Sequence, residues 1–118
     1  MNRWTAVASV LLALAVALGA FGAHGLRGRV NSDSMQIYER AVMYHFLHAL
    51  GLLAVSMMPA RPVLKWVAWP LVAGIVLFSG SLYVLVITGV RTLGAITPFG
   101  GVAFIAAWIV LAISSWRR

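Results

Sequence analysis

At 118 residues the chain has room for one domain, and it is 63% hydrophobic and only 9% charged, whereas soluble domains are about 45–50% apolar and about 25% charged. A water-facing fold of this composition lacks the polar residues to cover itself. The net charge is +7 and there is no cysteine; the cations stand singly or in pairs beside apolar runs, which argues against a nucleic-acid face, and disulfides and thiolate chemistry are excluded.

The first apolar run covers about residues 4–24. A single crossing needs about 20 residues. Arg3 before it and the small residues at its end resemble a secretory signal, but the run is long for one and is expected to be retained. Ala8, Ala15 and Gly22 repeat at seven, and Ala15, Gly19 and Ala23 at four. Such small faces let helix backbones approach closely in lipid.

Asn31-Ser32-Asp33-Ser34 opens the second helix, with Asp33 or Ser34 as the expected N-cap. The helix is predicted to begin near Met35, to span about residues 37–58, and to end at Pro59 and Pro62. Ile37, Ala41, Tyr44, His48, Gly51 and Val55 share one face. That face is predicted to point into the bundle, because polar groups avoid lipid.

The third run, about residues 66–88, carries Gly74 and Ser79-Gly80-Ser81 and stops at Gly89. The fourth, about residues 98–116, starts with Thr97 as the predicted N-cap and Pro98 at the first helical position. Gly100, Gly101, Ala103 and Ala107 give it a small face. Trp4, Trp66, Trp69 and Trp116 fall near span ends, where indoles anchor among headgroups. Trp108 lies deeper and is read as packing.

The expected fold is therefore all-α: residues 1–118 form one integral membrane bundle of four transmembrane helices. Four crossings put both termini on one side, with Arg3, Arg61, Lys65, Arg117 and Arg118. Arg27, Arg29 and Arg91 take the other side, with Arg40 at its edge. The positive-inside bias favours a multi-pass protein of the cell inner membrane with cytoplasmic termini.

The polar groups converge toward one half of the bundle. Arg40, Tyr44 and His48 follow at intervals of four, with Glu39 and His45 beside them, and His24, Tyr83 and Thr97 approach from the other helices. Mutual hydrogen bonding is the plainest use for them. Metal or haem ligation by His24, His45 and His48 lacks a carboxylate within a span. A hydrolase with Ser79 or Ser81 as nucleophile and His48 as base lacks an acid to orient the base. A relay or transport path along Tyr44, His48, Ser81 and Tyr83 would need more helices than one chain supplies. No enzyme activity, cofactor or metal is expected. His48 is predicted to matter more than His45, because it shares a face with Tyr44 and Gly51.

At these residues the chain resembles the bacterial membrane proteins grouped as domain of unknown function 423, which are similar to the eukaryotic transmembrane protein 256 family. The matching segments are Gly19-Ala20-Phe21-Gly22-Ala23-His24, Tyr44-His45-Phe46-Leu47-His48, Leu77-Phe78-Ser79-Gly80-Ser81-Leu82-Tyr83 and Thr97-Pro98-Phe99-Gly100-Gly101-Val102, with Trp108. The resemblance carries over to His24, Tyr44, His48, Ser79, Ser81, Tyr83, Thr97 and Pro98; His45 lies outside the pattern. It implies a four-span inner-membrane protein and assigns no activity. The expected role is structural or accessory, with membrane lipids around the chain and a homo-oligomer or larger membrane complex as the assembly. The alternative is a small-molecule, proton or transport site at His24, Tyr44 and His48.

Overall fold

A computed structural model describes residues 2–117; Arg118, counted above among the terminal cations, lies outside them. The chain forms four helical rods. The first is α1 (Arg3–Phe21), continued by one π-type turn, Gly22–Leu26. Asn2 caps it, its Oδ1 accepting the Thr5 N–H at 3.0 Å. The second is α2 (Ser32–Ser56). Its cap is Asn31, whose Oδ1 accepts the Ser34 N–H at 2.8 Å. The helix thus begins before the expected Met35, because the asparagine upstream of Asp33 and Ser34 captures the free N–H first.

The third rod runs through a short 3-10 turn at Pro62–Leu64, α3 (Lys65–Gly74), a π-type stretch at Ile75–Gly80, and α4 (Ser81–Thr88). Gly89 stops it in the left-handed region, at φ +76°, with its N–H on the Leu85 carbonyl. The fourth rod is a 3-10 turn, Arg91–Ala95, followed by α5 (Thr97–Trp116). Thr97 is already helical here, and its hydroxyl is used elsewhere instead of as a cap.

Neighbours in sequence are neighbours in space. α2 packs on α1, and the third rod packs between α2 and α5. The molecule measures 50 × 28 × 17 Å, and its long axis exceeds the roughly 40–45 Å of a bilayer with its headgroups. Among the described residues three stretches are long and apolar enough to cross a membrane: Arg3–Leu26, Pro62–Thr88 and Arg91–Trp116. α2 has the length, at 25 residues, but Asp33, Glu39, Arg40, His45 and His48 dilute its apolar character.

On α1 the buried positions are Ala8 and Ala15, followed by Gly22 in the π-type turn. The repeat of seven is therefore the packed one, while Ala23 of the repeat of four is exposed. On α2 the buried stripe is Tyr38, Ala41, His45, Ala49, Leu52 and Val55. This corrects part of the expected face: Ala41 and Val55 are buried, but Tyr44 is exposed, and His45 is buried more deeply than His48. The stripe is turned by one residue because Ala41 and Ala49, one turn either side of His45, let α1 and the third rod come close.

Candidate functional site

The buried polar groups gather around His45, which is 2% exposed. Its Nε2 lies 2.8 Å from the Leu11 carbonyl and its Nδ1 2.8 Å from the Tyr83 hydroxyl. A carbonyl can only accept, so Nε2 carries the proton and donates to Leu11. In the neutral ring Nδ1 is then an acceptor, and the Tyr83 O–H donates to it. One imidazole thus ties α1, α2 and α4. The Tyr38 ring lies 5.3 Å from the Tyr83 ring, and its hydroxyl donates to the Leu18 carbonyl of α1 at 2.5 Å. The Ser79 hydroxyl donates to the Ala41 carbonyl at 2.7 Å.

The π-type stretch Ile75–Gly80 explains how two serines so close in sequence serve two partners. Its wider turn shifts the helical register by one residue. Ser79 faces α2, while the Ser81 hydroxyl lies 2.7 Å from the Thr97 hydroxyl of α5. Neither serine is hydrogen-bonded to an imidazole among the described residues.

His48 has a different setting. Its Nδ1 donates to the Tyr44 carbonyl of its own helix at 2.8 Å. Its ring stacks on Phe104 at a centroid distance of 3.6 Å and on Tyr44 at 5.9 Å. Trp108 covers Gly51 one turn away: a Cβ there would sit 2.6 Å from the indole. Tyr44, 37% exposed, leans on Phe78 at 4.7 Å. His48 and Tyr44 therefore belong to an aromatic seam against α5 that opens outward.

His24 is exposed in the π-type turn and forms no side-chain hydrogen bond among the described residues. Glu39 pairs instead with Arg27 at 3.4 Å, both well exposed. The single expected cluster is thus divided into a buried node at His45, Tyr83 and Ser79, a Ser81–Thr97 pair, an aromatic seam at Tyr44 and His48, and an isolated His24. Among the described residues no three potential metal ligands come together, and no buried polar side-chain atom lacks a partner.

Residues 18–101 match the family described as "Protein of unknown function (DUF423)", a segment that takes in all of these groups except Leu11, Phe104 and Trp108. The chain belongs to that family. It is 41% identical to a UPF0382 membrane protein of Staphylococcus haemolyticus over 99% of this chain and 98% of that one. It is 50% identical to a UPF0382 membrane protein of Staphylococcus epidermidis over 88% of this chain and 87% of the relative. The UPF0382 membrane protein YwdK of Bacillus subtilis is 48% identical over 86% of each chain. No solved structure matches.

Within this DUF423 protein the sequence favoured Tyr44 and His48 over His45 and passed over Tyr38, Asn2 and Ser56. A signal was present for His45: alanines at both i−4 and i+4 mark a contact face, whereas His48 has Tyr44 and Leu52 at those positions. Asn2 and Ser56 gave none. Their bond, Asn2 Nδ2 to the Ser56 carbonyl at 2.9 Å, joins the start of one rod to the end of the next.

Proposed function

We propose that this is a four-span protein of the cell inner membrane, with both termini cytoplasmic. It serves as a structural or accessory subunit, in a homo-oligomer or beside a larger membrane complex. The observation that carries the four-span reading is the level of the ties along α2. Ser56 bonds to Asn2 and Thr5 at one end of α1, His45 to Leu11 in its middle, and Tyr38 to Leu18 near the other end. α2 therefore runs alongside a membrane-length rod from end to end, antiparallel to it. A helix bonded at three depths to a spanning helix shares its bilayer. The accessory reading is supported by a core in which, among the described residues, no buried side-chain polar atom lacks an internal partner.

Topology is the test. The chain has no cysteine, so Arg29→Cys and Ala60→Cys each give one labelling site. In intact cells a membrane-impermeant maleimide is expected to label position 29 and to leave position 60 unmodified until the cells are broken. Labelling of both from one side would overturn the four-span reading. Native mass spectrometry from detergent is expected to show an oligomer or a co-purifying protein, and a strict monomer alone would contradict the accessory role.

A second reading keeps a small-molecule, proton or transport site, narrowed from His24, Tyr44 and His48 to the last two. It is favoured by one feature: with Nδ1 committed to the Tyr44 carbonyl, the His48 Nε2 is an acceptor without a partner among the described residues. A ligand for it would carry an O–H or N–H and a flat ring. A haem would instead take the Nε2 lone pair on its iron; visible absorption tests for it, and the absence of a Soret band dismisses it.

A further inference from the structure

Where α1 opens into its π-type turn, a lateral groove of about 360 Å³ remains between the first rod and α2. Its walls are apolar, with Gly19 and Ala23 on one side and Val42, Phe46 and Leu47 on the other. A second hollow of about 370 Å³ lies against the turn that follows, walled by Gly28, Ser32 and Gln36. The two share Arg27, Met35 and Glu39. They adjoin at these three residues and are read together as one recess with a dry end and a wet end. Each is within the roughly 300–1,000 Å³ of small-ligand sites.

Such a recess fits a molecule with an apolar tail and a polar head. Its location fixes the order, because the wet end follows the end of the first rod, at headgroup level. Charge selects the head. Arg27 lines both hollows together with Glu39, and Arg29 follows it in the turn. The Arg27 guanidinium gives only a long 3.4 Å contact to Glu39, so most of its five donors are free for a phosphate.

We infer that this recess binds an anionic glycerophospholipid, with one acyl chain between Gly19 and Phe46 and the phosphate on Arg27. The inference rests on α1 and α2 both lying in the bilayer, and the labelling experiment above checks that separately. Correct labelling with no lipid preference would overturn the site alone.

The test is lipid retention in native mass spectrometry, with phosphatidylglycerol and phosphatidylcholine of identical chains. Phosphatidylglycerol is expected to be retained in preference. Arg27→Ala is expected to weaken it about fivefold, the effect of one basic residue near an anionic surface. Glu39→Gln is expected to strengthen it, and this variant keeps the test valid if the alanine variant fails to fold. Ala23→Phe, which fills the dry end, is expected to reduce retention of both lipids. Equal retention of the two lipids, or no response to both charge variants, would overturn the proposal. So would displacement of the lipid by millimolar inorganic phosphate, which would mean a headgroup-only anion site.

Discussion

The two long seams of the bundle hold by different physics. Between α1, α2 and α4 the seam is polar, with His45, Tyr83, Tyr38 and Ser79 bonded across helices. Between α5 and its neighbours the seam is chiefly one of shape, with the Ser81–Thr97 pair as its hydrogen bond between side chains. Phe104 lies over Gly74, Trp108 over Gly51, and the Phe78 backbone over Gly100. Lipid gives helices little hydrophobic reason to associate, so hydrogen bonds and close backbone approach are the means left. His45 and His48, three residues apart on α2, fall on opposite sides of this division. A histidine in this bundle is thus not one kind of residue. Its role depends on whether both nitrogens find partners inside.

Substitutions at the two seams should separate these mechanisms. The largest effect is expected at Gly100→Val. A Cβ there would lie within 2.8 Å of the Phe78 Cα, and backbone cannot move aside as a side chain can. The variant is expected to lose about 3 kcal/mol or more, toward the upper end for overpacking, seen as a large fall in detergent melting temperature. Unchanged melting would show that α5 is not seated on the third rod as described.

His45→Leu comes next. It removes two interhelical bonds, each worth about 0.6–1.7 kcal/mol in a membrane, and strands the Tyr83 hydroxyl. A loss of about 1–3 kcal/mol is expected, read by steric trapping in bicelles. His48→Leu is expected to cost the least, under about 1 kcal/mol, because it gives up only an intrahelical bond and its stacking on Phe104 and Tyr44, which leucine replaces in part with apolar contact. A larger loss at 48 than at 45 would reverse the comparison and restore the face expected from sequence.

Much of this is legible in the sequence. The repeat Ala8, Ala15, Gly22 marked the packed face of α1, because only small residues allow that approach. Gly89 marked the end of α4, because a left-handed residue there favours glycine. The inward face of α2 was marked only by Ala41 and Ala49 on either side of His45. Apolar residues surround the helix on all sides, and counting polar groups chose Tyr44 and His48. Acceptors on other rods, the Leu11 carbonyl above all, decide for His45, and no pattern within α2 records where they are. The pairing of Ser79 with α2 and Ser81 with α5 was hidden for a related reason. The π-type turn inserts a residue into the register, so a period of 3.6 cannot be carried through Ile75–Gly80. The division of the polar residues into separate groups follows from these two facts.

The claim that the bundle is tied through His45 is tested most directly by a double-mutant cycle of His45→Leu and Tyr83→Phe, with unfolding free energies measured in the same bicelles. The Tyr83 O–H bond to Nδ1 predicts a coupling of about 1 kcal/mol between the two changes. Losses that add to within about 0.3 kcal/mol would mean that the two side chains act independently, and would contradict the tie.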